Sequence, residues 1–192
     1  MSRPLLLVFA LMLAAGCART PPAQYYLLHA PDATTVGKAG GPRLGLGPVR
    51  LPAYLDRPQI VSWESATRLH LSQQHRWAEP LAQSFSRALF ARLAQALPDA
   101  QLVPWPWRGA PAPPRRITVD VQRFERGAEG VLHLNARWTV QAADGVAPQA
   151  FDSAIALPVT GAADDYDAIV AAASDAVGAL AQDIARRLPP AP

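Results

Sequence analysis

Two-residue alternation in the second half of the chain constrains the fold more than any other feature. Apolar and polar residues alternate in segment 117–121 and again in segment 132–140, and a turn-forming segment, 126–130, separates the two. Strict alternation predicts strands with one buried face. A turn signal at 143–145 precedes a third such strand, 151–157. The sequence therefore predicts an antiparallel meander whose polar outer face meets either solvent or a partner.

Two other segments repeat apolar residues at helical spacing. Segment 77–98 predicts a helix with Pro80 at its first position, where a backbone N–H has no helical partner. Segment 164–188 predicts a second helix, whose acidic start is favourable at the positive end of the helix dipole. The predicted apolar stripes are Leu81, Phe85, Leu89, Leu93 and Leu97 in the first helix, and Ile169, Ala173, Val177, Leu180, Ile184 and Leu188 in the second.

Several shorter segments have the composition of strands, namely 24–30, 44–49, 59–64, 67–73 and 101–103. Pro48 cannot donate a hydrogen bond to a sheet, so we expect it at a sheet edge or at the end of its strand. No linker divides the chain. The sequence therefore predicts a single α+β domain with a mainly antiparallel sheet of about six strands and two amphipathic helices packed on one face.

The charge distribution argues against a nucleic-acid-binding protein. The 192 residues include 18 Lys and Arg against 15 Asp and Glu, which gives a net charge of +3. The basic residues are dispersed along the chain, and the longest basic runs are pairs. Nucleic-acid binding requires a basic patch or stripe, so we expect no nucleic-acid partner.

The N-terminal segment has the features of a secretory signal peptide. Arg3 precedes an apolar run, residues 4–15, and Gly16 then leads to Cys17, the single cysteine of the chain. A basic start, a short apolar run and a small-residue exit are typical of such signals. The run is shorter than the ~20 apolar residues of a transmembrane helix. One alternative is ordinary cleavage before Cys17, which would leave a free thiol without a disulfide partner.

The same segment resembles a bacterial lipobox, in which the cysteine becomes lipidated and N-terminal after cleavage. That pattern prefers a large aliphatic residue three positions before the cysteine, whereas this chain has Ala14 there and Leu13 one position earlier. The resemblance implies covalent N-acyl and S-diacylglycerol groups on Cys17, and we expect no other cofactor. The predicted divisions are a signal peptide (1–16), a lipidated tether (17–23), one α+β domain (24–188) and a tail (189–192).

We find no residue spacing that predicts a catalytic or metal site. The 4 histidines are isolated, and no Cys or acidic cluster has metal-ligand spacing. Asp164 and Asp165 stand where a helix begins, which favours capping over acid–base catalysis. No serine lies in a G-x-S-x-G motif. Gly45 and Gly47 could suggest a phosphate-binding loop, but Pro48 removes a backbone N–H that such a loop would use.

Two proline-bounded segments are candidate partner interfaces. Trp105 and Trp107 lie in a proline-rich loop, and exposed aromatic pairs are typical of interfaces and membrane contacts. A connector lies between Pro52 and Pro58, whose rings lower the entropic cost of holding one loop shape for docking. Packing inside the fold is the alternative for both segments. The candidate interface residues are Tyr54, Leu55, Asp56, Arg57, Trp105 and Trp107.

Three segments carry a family resemblance: YYLL at 25–28, GLGPVRLPAYLDRPQIV at 45–61 and WAEPL at 77–81. In this order, and together with the chain length and the motif at Cys17, they resemble the PqiC-type auxiliary lipoproteins. Proteins of this type accompany MCE-domain (mammalian cell entry) transport systems in Gram-negative bacteria. The resemblance covers essentially the whole chain, although the C-terminal half is similar in layout more than in motif.

The resemblance implies a non-catalytic auxiliary subunit of an MCE-type intermembrane lipid transport system that contributes to outer-membrane integrity. It also implies docking on a periplasm-spanning MCE-domain protein and self-assembly into a homo-oligomeric ring. The lipid on Cys17 would hold the domain on the periplasmic side of the outer membrane, because Ala18 stands where an aspartate favours inner-membrane retention. The alternative is a lipid-anchored periplasmic carrier of a small ligand, or an enzyme of unrecognised type, which would need a concave pocket with convergent polar groups.

Overall fold

The computed structural model describes residues 21–31, 40–108, 111–142 and 147–189. Within these ranges the chain forms eight strands and two α-helices. In chain order they are β1 (Gln24–Tyr26), β2 (Arg43–Arg50), β3 (Gln59–Trp63), β4 (Leu69–Trp77), α1 (Leu81–Ala96), β5 (Gln101–Pro104), β6 (Arg115–Arg126), β7 (Val131–Ala142), β8 (Gln149–Pro158) and α2 (Tyr166–Arg187). The predicted turn at 143–145 lies outside the described residues.

Strand β6 joins the parts of the sheet. One edge of β6 pairs antiparallel with β7 along its length, and β7 pairs antiparallel with β8. The other edge of β6 pairs in parallel with β2 along residues 115–120 and then with β3 at Arg126. Strand β5 lies beyond β2, whereas β4 and then β1 lie beyond β3. The sheet therefore forks at β6 into a β2–β5 arm and a β3–β4–β1 arm.

This sheet is mixed and has eight strands among the described residues, whereas we predicted about six; most of its residue pairing is antiparallel, as predicted. The meander β6–β7–β8 is antiparallel, as predicted, and the β3–β4 pair is antiparallel as well. The pairs β1–β4, β2–β5, β2–β6 and β3–β6 are parallel. Local alternation identifies a strand but not its partner, and parallel neighbours are joined through long crossover connections. The α+β class with two helices is confirmed.

Both helices place their predicted stripes in one core. The stripe of α1 is buried from Leu81 to Leu93, and the stripe of α2 is buried from Ile169 to Ile184. The helices pack on each other and against the sheet. Phe85 of α1 meets Phe124 of β6 edge-to-face, with ring centroids 5.1 Å apart. The inward residues of β7, all buried, are Leu132, Leu134, Ala136, Trp138 and Val140.

Helix α1 begins later than predicted, because Trp77 belongs to the sheet. The Trp77 N–H donates to the Pro58 carbonyl at 2.7 Å, and the Ala78 N–H donates to the Tyr26 carbonyl at 2.9 Å. These bonds hold the chain in extended conformation through the end of β4. Pro80 is consequently the N-cap residue of α1 and not its first helical residue.

The acidic start of α2 is confirmed as a helix cap. Asp165 is the N-cap residue, and its carboxylate accepts a hydrogen bond from the Ala168 N–H at 3.0 Å. By length and composition alone, α2 is apolar enough to cross a membrane, with a mean hydropathy of 1.3. However, 56% of that stretch is buried inside the domain, so we assign α2 to the core.

The first strand is shorter than the predicted segment 24–30. Beyond Tyr26 the chain leaves the sheet and crosses to the helices. The Leu28 N–H donates to Ser84 Oγ of α1 at 3.2 Å, and the His29 N–H donates to Ser174 Oγ of α2 at 2.9 Å. Two helix serines thus satisfy backbone groups that a longer strand would have paired within the sheet.

Pro48 lies inside β2, although we expected it at a sheet edge or at a strand end. Strand β2 has neighbours on both sides, but its pairing with β5 ends at Leu46. The register with β6 shifts between Leu46 and Val49. Proline is tolerated at such an irregularity because its missing N–H breaks no regular ladder bond.

Candidate functional site

The connector between β2 and β3 packs into the domain. Residues Ala53–Leu55 form a 3-10 turn, and the Leu55 side chain is only 2% exposed. Tyr54 and Arg57 are half-buried, whereas Asp56 is exposed. Tyr54 and Leu55 therefore contribute to the internal packing of the domain. Asp56 is the one of the four connector candidates that is most open to a partner.

Tyr54 is held by a buried carboxylate, Glu125 of β6. The Glu125 side chain is 0% exposed. A buried carboxylate is stable only when donors compensate for the lost water. Its donors are the Tyr54 hydroxyl at 2.6 Å, Trp63 Nε1–H at 3.0 Å, Arg123 Nε–H at 2.8 Å and the Phe124 backbone N–H at 2.8 Å. Glu125 thus ties the connector and β3 to the central strand.

Unbroken alternation would place Glu125 on the same face as Val119 and Val121, but β6 changes phase before it. Val119 and Val121 point inward, but the register with β7 shifts between Val121 and Arg123. After this shift Phe124 and Glu125 are both buried. A bulge inserts one extra residue and reverses which side chains face the core. The available signal in the sequence is the loss of alternation after Val121.

The environment of Tyr54 keeps its hydroxyl neutral. Burial, followed by the hydrogen bond to Glu125, raises the pKa of the Tyr54 phenol well above its ordinary value. A phenolate beside a buried carboxylate would place two negative charges together in a poorly solvated site. Tyr54 is therefore a fixed hydrogen-bond donor in this structure and is unsuited to act as a base.

The second candidate cluster is built on the two glycines that the sequence suggested as a phosphate loop. A Cβ on Gly45 would lie 2.6 Å from the Trp107 ring, and a Cβ on Gly47 would lie 2.5 Å from Trp105 Cβ. Gly47 also has a φ of 118°, which disfavours other residues. The two indoles meet edge-to-face with centroids 4.9 Å apart. The glycines therefore allow the tryptophans to approach the β2 backbone.

The two tryptophans have different surroundings. The Trp107 ring is half-buried, its Nε1–H donates to the Val103 carbonyl at 3.3 Å, and Arg116 lies over the ring. Trp105 is attached through its backbone N–H to the Leu46 carbonyl at 3.0 Å, but its side chain is 52% exposed. Trp107 therefore packs on β2, and Trp105 presents an indole at the surface.

Trp105 forms part of the wall of a groove with a volume of about 800 Å³. The groove lies between α1, the end of β2 and the loop after β5. None of the described connector residues 53–57 lines it, so the two predicted interface segments do not form one site. The lining residues are Ala30, Pro31, Leu46, Gly47, Pro48, Val49, Ala82, Gln83, Ser86, Arg87, Phe90, Ala91, Pro104, Trp105 and Pro106.

This groove has the chemistry of a binding surface. Most of its lining is apolar, and Arg87 is the one titratable side chain among the described residues that line it. Arg87 is already paired with Glu79 at 2.6 Å. In the described parts of the chain, no group of three or more His, Cys, Asp or Glu side chains could hold a metal ion.

The buried hydroxyl of Ser153 is engaged in a structural network. Ser153 Oγ accepts from Trp138 Nε1–H at 3.0 Å and donates to Asp183 Oδ2 at 2.7 Å. Arg187 also donates to Asp183, at 2.9 Å. Burial alone would raise the pKa of Asp183, but the hydrogen bonds from Ser153 and Arg187 outweigh it, so the pKa is lowered. This cluster joins the end of α2 to the meander.

Replacing Gly47 by alanine tests the close approach of Trp105. We expect Gly47→Ala to lower the free energy of unfolding by about 2–4 kcal/mol, because left-handed backbone strain and overpacking add. The matched control is Gly40→Ala, since Gly40 has a φ of 88° but nothing within 4 Å of an added Cβ. It should show only the backbone cost, about 1–2 kcal/mol. Urea unfolding measures both, and equal losses would contradict the packing argument.

Replacing Tyr54 by phenylalanine tests the Glu125 cluster. Tyr54→Phe removes one donor from a buried carboxylate and should cost about 1.5–3 kcal/mol of stability. Tyr25→Phe is the control, because Tyr25 is 64% exposed, and its effect should stay within about 0.5 kcal/mol.

The raised pKa of Tyr54 also predicts a dependence on alkaline pH. The folded protein keeps this phenol protonated, whereas the unfolded chain ionises it near pH ~10. Stability supplied by Tyr54 is therefore complete below that pH and is lost as the pH rises further. Urea unfolding between pH 8 and 11 (roughly, spanning the ordinary tyrosine pKa) should show a smaller decline for Tyr54→Phe than for the unmodified protein.

Comparison with known proteins places the chain in a family. A family model for the ABC-type transport auxiliary lipoprotein component matches residues 25–185. An uncharacterized protein of known structure is 20% identical, with a TM-score of 0.73 over 88% of this chain and 100% of that chain. Protein XCC0632 from Xanthomonas campestris is 15% identical, with a TM-score of 0.66 over 84% of this chain and 92% of that chain.

At these identities the two structures support the fold alone, and no curated protein matches the chain. The family match, in contrast, spans from β1 to the last turns of α2. It includes the segments at 25–28, 45–61 and 77–81 that carry the resemblance in the sequence. The chain therefore belongs to the family of ABC-type transport auxiliary lipoproteins.

Proposed function

We propose that this protein is a non-catalytic, lipid-anchored subunit of an MCE-type intermembrane lipid transport system in a Gram-negative envelope. In this role it docks on a periplasm-spanning MCE-domain protein, self-assembles into a ring and supports outer-membrane integrity. The observation that carries the proposal is the family match to a transport auxiliary lipoprotein across residues 25–185. The MCE partner rests on the PqiC-type resemblance of segments 25–28, 45–61 and 77–81.

The lipid anchor of the proposal rests on the N-terminal sequence. Cys17 lies outside the described residues, so its modification is argued from the apolar run and the small residues before it. One acyl chain gives only marginal membrane binding, whereas two or three give a firm anchor. N-acylation and S-diacylglycerol attachment at Cys17 would therefore hold the domain at the membrane throughout its function.

We propose the Trp105 groove as the surface that receives the partner. Trp105 is 52% exposed beside an apolar groove of about 800 Å³. Exposed tryptophans near the centre of an interface often carry much of the binding energy. The packing on Gly45 and Gly47 holds the loop in place before binding, which lowers the entropic cost of association. Asp56, which is exposed on the connector, remains a separate candidate contact.

The same groove favours a second candidate function, which is the carriage of a small apolar ligand. Its volume lies within the range of roughly 300–1,000 Å³ that is usual for ligand pockets. Gln83, Ser86 and Arg87 supply the polar groups of its rim. A ligand extracted with the purified protein would favour this function, whereas an MCE-domain protein recovered with it would favour the first.

A variant of Trp105 tests the proposed partner and its surface. Cross-linking of the tagged lipoprotein in membranes, followed by mass spectrometry, should recover an MCE-domain protein. Trp105→Ala should reduce that recovery roughly tenfold or more, as expected for the loss of a binding hot spot. Gln95→Ala is the control, since Gln95 is exposed on α1 and does not line the groove.

The outcomes of this experiment test the proposed transport system and the proposed docking surface separately. If the unmodified protein recovers no MCE-domain protein, the proposed transport system is wrong. If Trp105→Ala recovers as much partner as Gln95→Ala does, the system stands and the groove is not its docking surface.

A Cys17→Ser variant tests the anchor. We expect it to lose incorporation of radiolabelled palmitate, to keep its signal peptide and to leave the outer-membrane fraction. Electrophoretic mobility and membrane fractionation measure these changes against the unmodified protein. Unchanged mobility together with unchanged outer-membrane fractionation would show that Cys17 is not lipidated.

A further inference from the structure

We propose that β1 and the residue after it, Leu27, form a membrane-contact surface, on which the side chains of Tyr25 and Leu27 contact the lipid headgroups of the membrane that holds the anchor. The partner is a phospholipid surface. The inference rests on the proposed lipidation of Cys17 and goes beyond it, because it states how the domain is oriented beneath the anchor.

The exposed apolar side chains outside the groove lie close to the anchor in the sequence. Among the described residues, three large hydrophobic side chains are strongly exposed: Tyr25 at 64%, Leu27 at 49% and Trp105 at 52%. Trp105 belongs to the groove. The other two lie within ten positions of Cys17, so the exposed apolar surface outside the groove is concentrated next to the attachment point.

The conformation of residues 25–28 fixes the exposure of Tyr25 and Leu27. Tyr26 faces the domain, where its hydroxyl lies 2.9 Å from His75 Nδ1. Leu28 is 1% exposed, and its N–H is bonded to Ser84. The side chains of Tyr26 and Leu28 point into the domain. The alternating residues, Tyr25 and Leu27, therefore point outward. The inward residues hold the segment in place, so the outward pair is displayed at little further entropic cost.

The length of the tether limits how far β1 can lie from the membrane. Gln24, the first residue of β1, is seven residues from Cys17. A fully extended chain spans at most ~3.3–3.6 Å per residue, so this tether reaches about 25 Å. A domain of this size is about 40 Å across. The tether is thus shorter than the domain is wide, so β1 cannot lie on the side of the domain that is farthest from the membrane.

The chemistry of the segment suits a phospholipid surface. Tyrosine is enriched at the level of the headgroups, because its ring is apolar and its hydroxyl remains hydrated. Arg76 of β4 lies directly opposite Tyr25 in the parallel β1–β4 pair. An arginine in this position is favourable near anionic phospholipids. Tyr25 and Leu27 thus form a small apolar surface, and Arg76 adds a basic side chain beside it.

The experiment uses the full lipoprotein in vesicles of phosphatidylethanolamine and phosphatidylglycerol. Leu27→Cys provides a single free thiol for an environment-sensitive fluorophore, since the thiol of Cys17 is consumed by its lipid. The matched control is Ala156→Cys, which is exposed on β8 at the opposite edge of the sheet, five strands from β1. That separation is about 24 Å at the usual strand spacing.

We expect lipid-attached quenchers to remove most of the fluorescence at position 27 and little at position 156. Tyr25→Ser combined with the probe at position 27 should weaken that quenching, whereas Tyr25→Phe should preserve it. Equal quenching at both positions, or quenching at 156 alone, overturns the proposed orientation while the anchor stands. Protein that does not float with the vesicles overturns the anchor itself, and the membrane-contact surface fails with it.

Discussion

The structure depends above all on the pairing of one strand, β6. This strand of 12 residues is paired with β7 on one edge, and two separate strands, β2 and β3, share the other edge. The bulge after Val121 lets β6 serve both arms, because it turns the strand and changes which residues face inward. Without that change Glu125 would point away from the connector, and Tyr54 and Trp63 would lose their common acceptor.

The fold explains why glycines occupy positions 45 and 47 in the family segment 45–61. Gly45 and Gly47 lie beneath two indoles at distances that exclude a Cβ. Their role is close packing, and phosphate binding is not needed to explain the spacing. A rigidly seated loop then displays Trp105 over an apolar groove. The sequence pattern does not distinguish Trp105 from Trp107. In the structure Trp105 is exposed and Trp107 packs on β2.

The connector between Pro52 and Pro58 shows why an interface is difficult to infer from a loop sequence. Prolines and aromatic residues favour a rigid docking loop and also favour a tight crossover inside a domain. In the structure Leu55 is buried and Tyr54 donates to Glu125, so much of the connector serves the internal packing. The residue that assigns Tyr54 to internal packing is Glu125, which lies 71 residues further along the chain. The composition of the connector carries no information about so distant a contact.

The sequence by itself determined the helices with their buried stripes, the β6–β7–β8 meander and the α+β class, because these follow from periodicities that local residues impose. It also determined the family, through motifs that are contiguous in the chain. Only the tertiary structure decided the forked, mixed sheet, the position of Pro48 and the burial of Glu125. It also decided which of the candidate aromatic residues is displayed at the surface. These features depend on contacts between residues that are far apart in the sequence. A local sequence pattern contains only one of the two residues in such a contact and so cannot predict it.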